Sequence, residues 1–183
     1  MKLEVNEDIH RFKQHESDWG GLITRYPGKN PFLTYEWMIS WLEVFGKEVQ
    51  LLVLAVRDDD RLRGIAPLCI RGRKVLTFIG YPQNDYADFL IDPATPEVLG
   101  EIVSTIFSLK GKWRKIILDQ FRQENSQWQQ IQGLLQKRRI PFRLELSDAC
   151  PVMVLHDIAA AKKMFYKRNF NKYVNWFRQH GKF

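Results

Sequence analysis

The chain is predicted to fold as a mixed α/β (α+β) domain, a mostly antiparallel sheet with helices on both faces. One observation behind this prediction is a pair of β-rich runs, 50–56 and 62–70, joined by three consecutive aspartates that favour a hairpin turn. Another is that further strand-like runs follow, after which helical and strand-like patterns alternate. The third is bulk composition, because 183 residues, 45% of them hydrophobic and 27% charged, suffice for one domain with a sizeable core.

The N-terminal quarter is predicted to contain a short strand and two helices. The strand covers residues 2–5, and the first helix opens at Ser17 and stops before Pro27. Thr34 is the expected N-cap of the second helix, which ends at Gly46. The apolar residues of this second helix recur at helical spacing and form one stripe: Trp37, Met38, Trp41, Leu42 and Phe45.

The middle of the chain is predicted to be a β-meander. Its second strand, 62–70, contains Pro67, which has no backbone N–H to donate to a neighbouring strand. We therefore expect that strand to bulge or to splay from a neighbour at the proline. A third strand is predicted at 75–79 and a fourth at 85–91, with a turn between them.

The C-terminal half is predicted to alternate between helix and strand. The first helix takes Thr95 as its N-cap and Pro96 as its first residue, a position that suits proline. The elements expected, in order, are that helix ending at Gly111, a strand at 113–119, a helix from Ser126, strands at 140–146 and 152–155, and a terminal helix.

The excess positive charge of the chain lies entirely in its last 26 residues. The formal net charge is +7, and residues 158–183 carry seven lysines and arginines with no aspartate or glutamate. Six aromatic residues are interleaved with these cations in the same segment. We therefore divide the chain into a domain at 1–157 and a basic, aromatic helix at 158–183 that is expected to need a partner.

Residues 80–93 are the densest candidate for chemistry. Asp85, Tyr86 and Asp88 lie at or just after the predicted turn. In a strand, period-2 alternation would put Tyr86 and Asp88 on one face and Asp85 on the other. A carboxylate beside a tyrosine could orient an amine or hydroxyl and accept its proton. The structural alternative is an aspartate that caps its own turn and a tyrosine that packs in the core.

Other candidate sites have simpler structural explanations. Trp37 could contribute to the floor of a ligand pocket, but its stripe is also what a helix needs to pack on a core. The four histidines and two cysteines show no metal-ligand spacing, so no metal is expected. No apolar run is long enough to span a membrane, and the N-terminus has acidic residues where a signal peptide is apolar. A cytoplasmic location is therefore expected.

The basic terminal helix has three competing interpretations. Its apolar stripe of Phe170, Tyr173, Val174 and Phe177 calls for burial against this domain or another one. The cations could be a solvated face, could bind nucleic-acid phosphates with aromatic stacking, or could bind an anionic small molecule or glycan at a domain cleft. If the stripe is exposed, we expect dimerisation or poor solubility.

Five segments in order resemble the CelD-like acetyltransferases of the GNAT superfamily, which are linked to cellulose and other exopolysaccharide synthesis. The segments, which span nearly the whole chain, are PFLTYEWMISWLEVFG, LLVLAVRDDDRLRGIAPLCI, GYPQNDYADFLIDP, ACPVMVL and YKRNFNKYVNWFRQHGKF. The resemblance implies two GNAT-type halves in tandem, as in the FemABX enzymes, of which only the first half and the connecting helix are present here. The family's pattern of basic residues around an asparagine matches Lys167, Arg168, Asn169 and Lys172.

The resemblance also implies a division of labour between the two halves. GNAT enzymes hold the acetyl-CoA pyrophosphate on an Arg/Gln-x-x-Gly-x-Gly/Ala turn at a helix N-terminus, and this sequence has no such turn. No cofactor is therefore expected to bind this chain alone, whereas acetyl-CoA would be the co-substrate of the complete enzyme. Asp85, Tyr86 and Asp88 are the acceptor-side candidates, with Trp37, Lys167 and Arg168 as substrate-binding candidates for a sugar or cell-envelope acceptor.

Two other functions remain open from the sequence. A FemABX-type aminoacyl transferase would use aminoacyl-tRNA, and the basic helix would then contact RNA. A non-catalytic binding or interaction domain would need no cofactor loop at all. The expected partners are a second GNAT-like half or a second copy of this chain, together with a small-molecule or glycan acceptor.

Overall fold

The computed structural model of the chain describes residues 1–28, 30–122, 126–146 and 168–180. The chain divides into two compact units, Met1–Leu144 and Glu145–Phe183. The boundary that the sequence predicts, between residues 157 and 158, lies outside the described residues, as does the predicted strand at 152–155.

Unit one has the predicted mixed α/β class, with mostly antiparallel strands and helices. Its helices are α1 (Ile9–Lys13), α2 (Glu16–Arg25), α3 (Tyr35–Phe45), α4 (Val98–Ser108) and α5 (Ser126–Lys137). Its strands are β1 (Lys2–Asn6), β2 (Val49–Leu51), β3 (Val53–Asp58), β4 (Arg61–Ala66), β5 (Leu68–Arg71), β6 (Val75–Phe78), β7 (Leu90–Ile91) and β8 (Lys115–Ile116). In unit two the described helix is α6 (Arg168–His180).

The strands form two four-stranded sheets, ordered β1-β3-β4-β7 and β2-β5-β6-β8. Every pairing is antiparallel except that of β6 with β8. The predicted hairpin is present, with Asp58 paired to Arg61 and Asp59 in the left-handed region at φ 51°. Aspartate tolerates that conformation better than most residues, which explains its use in this tight turn.

The two sheets are consecutive parts of one ribbon that is interrupted at Pro67. The backbone N–H of Leu52, between β2 and β3, still donates to the carbonyl of Leu68 at 3.0 Å. The hairpin therefore continues from one sheet into the other, with Pro67 between β4 and β5. The irregularity expected at this proline is confirmed.

Two apolar clusters cover opposite faces of this ribbon. Along β3 the side chains alternate, so that Val53 and Ala55 pack with α1, α2 and α3 on one face. Leu54 and Val56 pack with α4 and with Ile131 of α5 on the other. Helices on both faces are thus confirmed, and period-2 alternation of buried strand residues is the physical cause.

The N-caps of the predicted helices are partly as expected. The hydroxyl of Thr34 accepts the N–H of Trp37 at 3.3 Å and caps α3. The helix predicted from Thr95 begins later, at Val98, since Thr95 and Pro96 only form a preceding turn. The prediction missed α1, whose N-terminal N–H group is capped by the side chain of Asp8.

Three predicted strands are shorter or missing. The strand expected at 113–119 is reduced to the two residues of β8, and the one expected at 85–91 is reduced to β7. Residues 140–146 form no strand, and there Phe142, Leu144 and Leu146 are exposed. Alternating apolar residues do not make a strand without a neighbour to pair with.

Among the described residues, the structure contains no helix that is both long enough and apolar enough to cross a membrane.

Candidate functional site

Residues 80–89 leave the sheet opposite Pro67 and form a ten-residue loop. This loop, which we call the excursion loop, is the candidate functional site. Leu68 pairs with Phe78, whereas Ile65 pairs with Leu90. Ile65 at the end of β4 and Leu68 at the start of β5 are close in sequence, yet their partners are twelve residues apart. The strand that would continue β6 directly into β7 is opened into a loop at this point.

The lost donor of Pro67 explains why the ladder opens here. The N–H of Ile79 donates to the Pro67 carbonyl at 2.9 Å, but proline has no N–H to return to the carbonyl of Ile79. The side-chain amide of Asn84 occupies that place instead, with Nδ2 at 3.5 Å from the Ile79 oxygen. Asn84 is buried, and its side-chain amide supplies the Ile79 carbonyl with the donor that Pro67 lacks.

The first residue of the excursion loop must be a glycine. Gly80 has φ +99°, outside the region that side chains with a Cβ readily adopt. A Cβ there would also lie 3.1 Å from Asn84 and 3.3 Å from Nε1 of Trp37. The indole N–H of Trp37 thus faces the start of the loop, and within the described residues it has no hydrogen-bond partner.

The far end of the excursion loop is bonded to the C-terminus of α2. The hydroxyl of Tyr26 donates a short hydrogen bond to Oδ2 of Asp88, and Oδ1 of Asp88 accepts the N–H of Phe89 at 2.8 Å. Burial, followed by the charge of Asp88 and the hydrogen bond to it, raises the pKa of Tyr26 well above its usual range. The Tyr26 phenol is therefore neutral at neutral pH and acts as the donor to Asp88.

A second contact holds the same helix end in place. Arg25 donates through Nε to Oδ2 of Asp92 at 2.8 Å, and Arg63 reaches the same oxygen at 3.3 Å. Burial raises the pKa of the Asp92 carboxyl, but the N–H of Ala94 and the Arg25 guanidinium outweigh it, and the net pKa is below the usual value. Arg25, the last residue of α2, and Tyr26, directly after it, thus bind the two aspartates on either side of β7.

Tyr86 is the residue of the loop that its surroundings orient most clearly. Its backbone is in the left-handed region at φ 55°, and its carbonyl accepts a hydrogen bond from Nδ2 of Asn30. The guanidinium of Arg122 lies 4.1 Å from the centre of its ring, a cation–π contact. Tyr86 as a residue is half-buried, so part of it remains accessible to solvent.

The positive φ of Tyr86 overturns the predicted arrangement of the three loop residues. Residues 85–88 are not a strand, so the alternation that would place Tyr86 and Asp88 on one face does not apply. Asp85 is exposed, Tyr86 is half-buried, and Asp88 is only 2% exposed. Asp88 therefore positions the loop through Tyr26, whereas Asp85 and Tyr86 are the members that solvent and ligands reach.

Of the other predicted site residues, only Trp37 has a described side chain. It packs edge-on against Phe32, with ring centres 4.9 Å apart, and its Nε1 lies next to Gly80, the first residue of the loop. Lys167 lies outside the described residues. Arg168 is the first residue of α6, and its side chain is not among those described.

Sequence reasoning missed four residues of the site: Tyr26, Asn30, Asn84 and Arg122. Tyr26 and Asn30 flank a Pro-Gly pair, which indicates a turn but not that these residues bond to partners 62 and 56 positions away. A buried asparagine opposite a proline and a cation above a tyrosine ring are both tertiary contacts. No local pattern in the sequence could have indicated them.

Among the described residues, no three histidine, cysteine, aspartate or glutamate side chains come together in a way that could hold a metal ion. The loop offers instead the carboxylate of Asp85 and the phenol of Tyr86, with the guanidinium of Arg122 above the Tyr86 ring. This set is suited to orienting a polar acceptor. Comparison of the chain with models of protein families, with curated proteins and with solved structures gave no match.

Proposed function

We propose that the chain is the acceptor-binding module of a GNAT-type acyltransferase that uses acetyl-CoA and acts on an amine or hydroxyl of a sugar or cell-envelope precursor. The observation that supports this proposal most directly is the excursion loop. It places an exposed carboxylate, Asp85, next to a half-buried phenol, Tyr86, on a loop that Tyr26, Asn30 and Asp88 hold in place. Held side chains orient an acceptor with less entropy loss than mobile ones.

In this proposal Asp85 accepts a hydrogen bond from the acceptor amine or hydroxyl and takes up its proton while the acceptor nitrogen or oxygen bonds to the acetyl carbonyl carbon. The C–S bond of the thioester breaks, and CoA leaves as its thiolate. The ring of Tyr86 packs on the acceptor and its hydroxyl gives a second hydrogen bond. Arg122, above that ring, favours an acceptor with an anionic substituent. The acetyl-CoA site belongs to a second GNAT-like half, because this chain has no pyrophosphate-binding turn.

The test begins with the reading frame adjacent to the gene. If that frame encodes a GNAT-like half with the glycine turn, the two proteins are purified together and titrated with acetyl-CoA in a calorimeter. We expect the pair to bind acetyl-CoA and this chain alone to give no heat and no protection against melting. Binding by this chain alone would contradict the two-half arrangement, and no binding by the pair would contradict the use of acetyl-CoA.

Variants of the pair then test the acceptor side. Asp85→Asn should lower the rate of CoA release from acetyl-CoA with an amino-sugar acceptor by about 10²-fold or more, the usual contribution of a general base. Tyr86→Phe removes one hydrogen bond and should lower the same rate about tenfold. Asp60→Asn, at an exposed aspartate of the β3–β4 turn, is the matched control and should leave the rate unchanged. Equal rates for all three variants would exclude the loop from the acceptor site.

A FemABX-type aminoacyl transferase is the second candidate, and the exposed cationic and aromatic side chains of α6 favour it. Lys172, Tyr173, Trp176 and Arg178 are all exposed within unit two. Such a surface could contact the phosphates and bases of a tRNA. Binding of tRNA that weakens steeply with salt, without binding of acetyl-CoA by the pair, would favour this candidate over the first.

A further inference from the structure

A groove on the α3 face of the sheet has the composition of a small-ligand site, and it is distinct from the acceptor candidates of the excursion loop. It is open to solvent and has a volume of about 460 Å³, which is within the range of small-molecule sites. Its lining combines two arginines, one carboxylate and apolar side chains: Arg71, Arg73, Glu48, Val75, Thr77, Tyr81 and Ile117, with the backbone of Gly72. We call it the β5–β6 groove.

The groove exists because α3 is too short to cover the whole sheet. This helix ends at Phe45, and the chain then turns through Gly46–Glu48 into β2. Arg71 and Val75 are paired across β5 and β6 at the end of this face. Strand alternation places them on the same side as Thr77, beyond the reach of α3.

Thr77 is the observation that points to a ligand. Its side chain is 1% exposed, and its hydroxyl has no hydrogen-bond partner among the described residues. A buried hydroxyl without a partner costs about 1–3 kcal/mol, and valine would fill the same space without that cost. Thr77 is one of the residues that line the groove, where a bound molecule could supply the missing hydrogen bond.

The guanidinium of Arg71 is oriented by Tyr81 and is suited to binding an anion. It donates to the carbonyl of Tyr81 and lies 5.9 Å from the centre of the Tyr81 ring. These two contacts with Tyr81 orient the guanidinium, and Arg71 is one of the residues that line the groove. Arg73, in the tight turn after Gly72 at φ +47°, adds a second and exposed guanidinium. Two arginines on one rim are suited to a doubly charged oxyanion.

We propose that the β5–β6 groove binds a small organic phosphate monoester. Its phosphate lies between Arg71 and Arg73, an oxygen of the ligand bonds to the Thr77 hydroxyl, and its apolar part packs on Val75, Tyr81 and Ile117. Glu48, which precedes the Val49–Arg71 pair of β2 and β5, disfavours a second anionic group and accepts a hydrogen bond from a ligand hydroxyl. This inference does not depend on the proposed acyltransferase function.

The test uses phenyl phosphate and inorganic phosphate as probes, titrated into the full chain by calorimetry at about 0.15 M salt, where long-range attraction is screened. Phenyl phosphate should bind more tightly than inorganic phosphate, because only the former reaches the apolar lining. It should also bind more tightly than benzoate, which carries a single charge. Equal affinities for phenyl phosphate and benzoate would overturn the assignment of a phosphate.

Two variants locate the site. Thr77→Val should weaken phenyl phosphate binding about tenfold, the loss of roughly one hydrogen bond, while the melting temperature stays the same or rises. Arg73→Gln, at an exposed position, should weaken binding to a similar extent without changing stability. If Thr77→Val fails to fold, Arg73→Gln decides the question alone.

The matched control is the double variant Lys172→Gln, Arg178→Gln, which removes cations from α6 and not from the groove. This variant should bind phenyl phosphate as the unaltered chain does. If it abolishes binding while Arg73→Gln has no effect, the phosphate binds the basic helix and the proposal is wrong. Absence of any binding to the unaltered chain would likewise overturn the proposal.

Discussion

Single buried polar residues account for much of how the domain is organised. His15, at the start of α2, is 3% exposed; its Nε2 lies 3.1 Å from Nδ2 of Asn6 and its Nδ1 lies 3.2 Å from Arg57. Arg57 in turn forms an ion pair with Asp18 at 2.7 Å. One imidazole therefore links β1, β3 and α2. Burial, and next the positive charge of Arg57, lower the pKa of His15.

The lowered pKa of His15 makes the stability of the domain depend on pH. In the unfolded chain this histidine takes up a proton at about pH 6.5, but in the folded domain it does so only at a lower pH. The unfolded state therefore binds more protons in that window, and stability must decrease as pH falls below about 6.5. The contribution of His15 is complete above this pH and is lost progressively down to its folded pKa.

Urea unfolding measured between about pH 5 and pH 8 checks this prediction. The His15→Gln variant should show a shallower pH dependence below about pH 6.5 than the unaltered chain. His10→Gln, at an exposed histidine of α1, should keep the original slope. If His10→Gln flattens the curve and His15→Gln does not, the assignment to His15 is incorrect.

At the level of elements, the excursion loop shows how one imino acid reorganises a sheet. Pro67 withholds a donor, the strand after β6 leaves the ladder, and β7 rejoins it opposite Ile65. The interruption of the ladder creates the loop that carries Asp85 and Tyr86. The hydrogen bond from Tyr26, directly after α2, to Asp88 then fixes the position of the far end of the loop.

Gly80→Ala tests how strictly the start of the loop is specified. The new Cβ would meet Asn84 and Trp37 at 3.1–3.3 Å, and alanine is strained at φ +99°. We expect a loss of about 1–3 kcal/mol in the free energy of unfolding. Gly100→Ala in α4 has open space around its Cβ and should stabilise the domain by up to about 1 kcal/mol. Chemical denaturation of both variants decides, and equal effects would contradict the role given to Gly80.

At the scale of the whole molecule, charge and exposed apolar surface are unevenly distributed. The seven excess positive charges lie in residues 158–183, and in α6 Tyr173 is 65% and Trp176 54% exposed. Of the predicted apolar stripe, Val174 is half-buried within unit two, and the side chains of Phe170 and Phe177 are not among those described. Two large exposed aromatic side chains on one short helix are a surface that association would cover.

We therefore expect the associated fraction of the chain to rise with protein concentration. Sedimentation velocity at increasing concentration should show a rising average mass. The double variant Tyr173→Glu, Trp176→Glu should reduce this association, whereas Val44→Glu, at an exposed apolar residue of α3, should leave it unchanged. A monomer at all concentrations would refute the expectation that an exposed α6 drives dimerisation.

The sequence alone determined the fold class, most of the helices and the irregularity at Pro67. Those features follow from local chemistry: hydrophobic periodicity, the capping hydroxyl of Thr34, aspartates that accept a tight turn, and a proline that lacks a donor. Each of these operates within a few residues of the chain. Reading them therefore requires no knowledge of which distant segments meet.

Only the tertiary structure decided which loop residues are accessible and what holds them. Tyr26 reaches Asp88 across 62 positions, and the left-handed backbone of Tyr86 cancels the alternation that the sequence suggested. The unpartnered hydroxyl of Thr77 is likewise apparent only once the sheet and its incomplete cover by α3 are known. The physical reason is that burial and hydrogen-bond partners depend on the packed neighbours, and these are far apart in sequence.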